Sequence, residues 1–202
     1  SRSLESGRPI HVGMGSGGIG GQATPEALMG ITVFDYVARH AAAYNQSILG
    51  TTADGTILSA AQGILQTARQ EAGFAGRYEG KELNFSGPEP MAYAAGAVDA
   101  VTRDPHAANI LVGRFGSEGF WIAESGRSQG AVQLGGTTDP SAIALMQTAL
   151  NEHVVGEEVF AAGAYLDRPA HLGSLAAQDV MRIMAILAVI VGVVAASLGY
   201  LG

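Results

Sequence analysis

The 202 residues give room for one domain of ordinary size plus an appendage, and the absence of cysteine excludes disulfides and thiolate chemistry. A net charge of −7 excludes the clustered Lys and Arg that nucleic-acid phosphates require, so no nucleic-acid partner is expected. Nearly half the residues (48%) are hydrophobic and only 14% are charged, against about 25% in an ordinary soluble domain. That deficit suggests surface hidden against lipid or neighbouring subunits.

In chain order, short β-rich runs alternate with longer helical ones. Residues 1–8 read as a juxtamembrane or linker segment. Pro9–Val12 is a short strand candidate, followed by a glycine cluster holding Gly13, Gly15, Gly18, Gly20 and Gly21. Leu28, Ile31, Phe34 and Val37 recur at helical spacing, which predicts a helix over Pro25–Tyr44. Ser47–Thr51 reads as a second strand, and Thr56–Ala72 as a helix closed by Gly73. Glu82–Ser86 is a third strand and Pro90–Thr102 a third helix.

Asn109–Phe115 and Gly119–Glu124 both read as strands, and the Gly-Ser-Glu between them is of hairpin length. Ala131–Leu134 and His153–Val155 are further short strands, with helices over Asp139–Leu150 and Glu157–Leu166. Ala161, Ala162, Gly163 and Ala164 suit the last of these to close packing, within the chain or between subunits. The alternation implies an α/β domain over residues 9–166, with a Rossmann-like, mainly parallel layered sheet and one hairpin.

Residues 167–181 form a linker and helix start. From Ile183 to Gly202 there are twenty residues without a charge, the length a helix needs to cross about 30 Å of hydrocarbon. A transmembrane helix over residues 182–202 is therefore expected. Arg2, Arg8, Arg168 and Arg182 lie on the domain side of that run, which places the domain in the cytoplasm by the positive-inside rule. Ala188, Gly192 and Ala196 recur every four residues, a spacing that lets two membrane helices approach closely.

Three strand ends are followed by TADGT, GPEP and GTTDPS, turns in which an acid can cap the next helix and Pro suits its first turn. Such turns gather on one edge of a parallel sheet. The stretch from Gly13 to Gly18 also satisfies G-x-G-x-x-G, whose glycines admit a pyrophosphate to a helix N-terminus in dinucleotide sites. Against that chemistry, no basic residue lies in the loop, and Asp54 follows Gly13 by about 40 residues where about 20 is usual. A ligand pocket, if the loop forms one, would use Gly15, Gly18, Gly20, Thr52, Asp54, Thr137 and Asp139.

Acids concentrate at Glu118, Glu124, Glu152, Glu157 and Glu158, but no His stands at metal-ligand spacing beside them, and acids at helix starts serve the helix dipole. Serines lack a G-x-S-x-G context, and the five histidines are scattered. No catalytic residue, metal or cofactor is assigned.

The stretches GGQATPEALMGITV, GPEPMAYAAGAVDAV, ILVGRFGSEGFWIAESG, QLGGTTDPSAI, VVGEEVFAAGAYL and HLGSLAAQDVMRI resemble an uncharacterised family of membrane-anchored prokaryotic domains, common in Chloroflexi-like bacteria. The resemblance covers almost the whole chain and supports the membrane topology, while implying no reaction and no catalytic residues. Together these features lead to a membrane-anchored scaffold or assembly module that self-associates or docks into a membrane complex. A nucleotide- or phosphometabolite-binding enzyme or sensor built on the glycine loop is the alternative.

Overall fold

A computed structural model describes residues 7–74 and 81–155. The expected linker, the helix over Glu157–Leu166 and the membrane helix with Ala188, Gly192 and Ala196 lie outside the described residues. Among the described residues no helix is long and apolar enough to cross a membrane.

Strand and helix alternate as β1 (Ile10–Gly15), α1 (Thr24–Ala43), β2 (Ile48–Thr52), α2 (Gly55–Glu71), β3 (Leu83–Phe85) and α3 (Pro90–Arg103), then β4 (Ala108–Arg114), α4 (Glu118–Ser128), β5 (Val132–Thr137), α5 (Pro140–Met146) and β6 (Glu152–Val155). All five strand pairings are parallel, in the order β3-β2-β1-β4-β5-β6. A parallel sheet needs cover on both faces, because every crossover lays a helix across it. Val12, Met14 and Ile48 pack beneath α1 and α2 with Phe34, Ile57 and Leu65. Leu111 faces the other way, into a core of Tyr93, Phe115, Ile122 and Met146 from α3, α4, α5 and the β4–α4 turn.

The expected hairpin is corrected: Gly119–Glu124 lies within α4, and among the described residues the strands pair only in parallel. Phe120, Trp121 and Ile122 give the segment a strand-like composition. What decides its state is burial, which falls on Gly119, Ile122, Ala123 and Gly126, an i, i+3, i+4, i+7 stripe that only a helix turns to one side. Glu118 in the first turn adds the favourable sign for the helix dipole.

A buried polar row crosses the second face. His11 is paired in register with Asn109, and Asn109 with Gln133, so three neighbouring strands point polar side chains into one line. His11 Nδ1 lies 2.6 Å from Asn109 Oδ1 and Nε2 lies 2.9 Å from Thr51 Oγ1, which is 3.2 Å from the Tyr93 hydroxyl. On the other flank Asn109 Nδ2 donates to Gln133 Oε1 at 2.7 Å, and Gln133 Nε2 to the Ala131 carbonyl at 3.0 Å.

An amide oxygen only accepts, so Nδ1 carries the imidazole proton and Nε2 accepts from Thr51. Thr51 then accepts from Tyr93. The row is satisfied by one neutral tautomer of His11. Above it, α4 comes so close that a Cβ on Gly126 would stand 2.5 Å from Gln133 Nε2 and 2.6 Å from Asn109 Nδ2.

Burial lowers the His11 pKa to about 4, opposed by the Asn109 hydrogen bond, and burial also lowers that of His106, whose ring meets His11 edge-on at 5.9 Å. A lowered folded pKa means the unfolded chain takes up the proton first, so stability is complete above pH 6.5 and is lost as pH falls toward 4. His11 alone is expected to cost about 2 kcal/mol between pH 7.5 and pH 5. Urea unfolding midpoints across that interval, largely above the carboxylate range, check this. A flat profile from pH 6.5 to 5 would show that His11 is not held neutral.

Candidate functional site

In an open α/β sheet, ligands settle outside the carboxyl ends of the strands, where the winding reverses. Here the reversal falls between β1 and β4. The turns meeting there are the glycine loop after β1, the Phe115–Ser117 turn after β4, and the turns after β2 and β5. The seven residues named from the sequence for a ligand pocket lie in or beside these turns, in unlike roles.

Gly15 ends β1 with φ +86, and a Cβ there would run into the Arg114 backbone. Only glycine tolerates both the angle and the approach. Gly18 lies against the Asp54 carboxylate, with the Asp54 Cγ 3.1 Å from where its Cβ would be. Gly20 has φ +105 and open space around it, and its N–H donates to Thr24 Oγ1 at 2.9 Å.

Thr52 and Thr137 are buried at the ends of β2 and β5. Thr52 Oγ1 accepts from the Asp54 N–H at 3.2 Å, and Thr137 Oγ1 bridges to the Phe115 carbonyl at 3.1 Å. Asp54 caps α2, accepting from Thr56 and Ile57 at 2.8 and 2.9 Å. Asp139 caps α5, accepting from the Ser141 and Ala142 backbones at 2.9 and 3.3 Å. Its pKa is lowered, chiefly by the Ser141 hydroxyl. The two aspartates thus spend acceptor capacity on orphan helix N–H groups.

Three side chains that matter here were missed or undervalued in the sequence. Glu118, at the start of α4, is buried, and its Oε1 accepts from Ser16 Oγ at 2.7 Å and from the Gly116 N–H at 2.9 Å. Glu26, in the first turn of α1, is also buried, and its Oε1 accepts from Thr138 Oγ1 at 2.7 Å. Arg114, at the end of β4, brings Nη1 to 3.7 Å from that same oxygen, an ion pair but no hydrogen bond. The signal for Glu26 and Glu118 was an acid in the first turn of a helix after a strand. Nothing in the spacing tied them to Arg114, because that meeting depends on strand order.

The chemistry of this edge is acidic. The helix starts that would receive a phosphate in a dinucleotide site carry Glu26 and Glu118, and Arg114 stands beside Glu26. Beneath, the Tyr93 hydroxyl meets the Gly15 backbone, and burial raises its pKa to about 12, so it is a neutral prop for the loop. Among the described residues no group of three or more His, Asp or Glu is placed to hold a metal ion.

The Gly18–Asp54 contact couples the loop to the α2 cap. Gly18→Ala pushes the carboxylate off the cap, and Asp54→Ala removes the cap itself, so each should cost about 1 kcal/mol. The double variant should cost much less than the sum, because both act on one interaction. Chemical denaturation of the four proteins checks this, and additive losses would separate the glycine loop from the cap.

The chain matches the family described as "Domain of unknown function (DUF6754)" over residues 1–201, and it belongs to that family. No curated protein and no solved structure matches it.

Proposed function

We propose that this chain is a membrane-anchored α/β scaffold or assembly module, without catalysis, that self-associates or docks into a membrane complex. The observation that carries the reading is how the reversal point of the sheet is filled. The strand order and glycine loop suit a phosphorylated ligand, yet the chain's own carboxylates occupy the places a phosphate would take. Glu118 accepts the Gly116 N–H and the Ser16 hydroxyl, and Asp54 fills the space beside Gly18. A phosphate entering there would face buried negative charge, a strongly unfavourable placement in a medium of low dielectric.

The uncharged run from Ile183 to Gly202 supports anchoring in the lipid bilayer, with the domain on the cytoplasmic side. Its face of Ala188, Gly192 and Ala196 supports pairing with another copy or with other subunits of a membrane complex. Membrane anchoring would then be a property of the family, in keeping with its resemblance to prokaryotic, Chloroflexi-like membrane domains.

A second reading is favoured by the strand order itself, which sets a Gly-rich first turn at the reversal point as dinucleotide-binding sheets do. In it the chain is a nucleotide- or phosphometabolite-binding enzyme or sensor. Gly15, Gly18, Gly20, Thr52, Asp54, Thr137 and Asp139 would line the pocket.

Two measurements decide. The mass of the detergent-solubilised native particle is expected to be a multiple of the chain mass, or to include co-purifying subunits. A monodisperse single chain would overturn the assembly reading. Thermal unfolding with ATP, GTP, NAD and NADP is expected to be unchanged by each, and stabilisation by any one would favour the second reading.

A further inference from the structure

At the opposite edge of the sheet, where β2 and β3 begin, lies an open cleft of about 500 Å³, a size usual for small-molecule sites. Ser47, just before β2, and Lys81 and Glu82, just before β3, line it with Ala42, Arg69 and Phe74 from the ends of α1 and α2. Both helices stop in the same way. The Gln46 N–H donates to the Ala41 carbonyl at 2.8 Å and that of Asn45 to Ala42 at 3.0 Å. The Phe74 N–H donates to Arg69 at 2.8 Å and that of Gly73 to Gln70 at 3.1 Å. Asn45 (φ +51) and Gly73 (φ +80) take the left-handed turn that this double closure requires. The last helix carbonyls are thus engaged by backbone and need no cation from the cleft.

Charge sets what the cleft can hold. Arg69 donates to Glu82 Oε1, and the two mostly buried side chains neutralise each other. Lys81 is exposed and is the one lysine of the chain. Among the described residues it has no carboxylate within ion-pair reach, whereas Arg39, Arg103, Arg114 and Arg127 each have one. Residues 75–80 carry Arg77 and Glu79 and add no net charge. In a chain of net charge −7 this cleft therefore holds one positive charge in excess, and a concave surface focuses its field.

We infer that this cleft takes a small organic monocarboxylate, its carboxylate on the Lys81 ammonium and its apolar body against Ala42 and Phe74. One excess positive charge matches one negative charge. A phosphate ester brings about two near pH 7, and the second meets Glu82, whose Oε2 is buried without a donor. An inorganic anion fills little of the volume and leaves the apolar wall wet. The inference rests on neither reading of the reversal point, which lies at the other edge, and it uses no membrane residue.

The experiment is titration calorimetry on the full chain in nonionic detergent, with benzoate, phenylacetate and isovalerate as separate probes. At least one is expected to saturate a single site. Its uncharged amide, and phenyl phosphate, should each bind about tenfold more weakly or worse. Lys81→Met should lose a similar factor and Lys81→Arg should keep the affinity, while Arg103→Met, which removes a cation outside the cleft, should change nothing. Ser47→Phe, which fills the cleft, should abolish binding with Lys81 in place. Lys81 and Ser47 are both exposed, so neither variant threatens the fold. Saturation by none of the three, equal binding of the amide, tighter binding of phenyl phosphate, or equal affinities in Lys81→Met and Arg103→Met would each overturn the inference. Particle mass, which tests assembly, is unaffected by any of these results.

Discussion

The carboxyl edge of this sheet depends on the register of β1 between β2 and β4, and the hydrogen bonds of one neutral histidine hold that register. His11 gives its single ring proton to Asn109 and accepts at its other nitrogen from Thr51. A one-residue slip of β1 would turn His11 to the apolar face under α1 and α2, stranding it without partners and taking from the Asn109 carbonyl oxygen its donor and from the Thr51 hydroxyl its acceptor. Hydrophobic residues alone specify such a slip weakly in a parallel sheet, where both faces are apolar and either parity can be buried. The polar row supplies what the apolar pattern lacks. Its cost is tolerable only because every member is satisfied.

From that register the edge follows. Tyr93 closes the row on one side, and its hydroxyl reaches both Thr51 and the backbone of Gly15. The residue that ends β1 is thus tied to the buried row, and the loop beyond it starts from a fixed point. Gly15 lies against Arg114 across the β1–β4 pair, where the register shifts between Gly13 and Gly15. That shift lets Ser16 reach Arg114 and Glu118, its N–H donating to the Arg114 carbonyl at 2.9 Å. The glycines here answer to close backbone approach first. The openness farther along, at Gly20 and Gly21, is a separate property of the same loop.

Much of this was legible in the sequence because local chemistry and global fold agree. Pro25, Pro90 and Pro140 lie at helix starts, Asp54 and Asp139 are caps, and the strands fall between them, so β1–β5 and α1–α3 lie within a few residues of expectation. Where aromatic content and periodicity disagreed, at Phe120–Ile122, composition pointed to a strand and the small residues Gly119, Ala123 and Gly126 held the correct period. A stripe of small residues has little hydrophobic weight, although it is what lets α4 lie close over Gln133 and Asn109. The polar row was illegible for another reason. His11, Asn109 and Gln133 are unremarkable until the order β1-β4-β5 makes them neighbours, and strand order is a tertiary fact.

The same distinction governs function. A glycine motif after a strand is a statement about backbone access, and it is silent on the charge that access leads to. In this chain the charge comes from Glu26, Glu118 and Arg114, which belong to three different elements and meet only at the reversal point. Two buried carboxylates, Glu26 and Glu118, lie in the first turns of helices, where a helix dipole would otherwise draw a phosphate. Fold and loop alone therefore say nothing of the carboxylates that this edge carries. Its chemistry is set by which side chains the sheet order places under the loop.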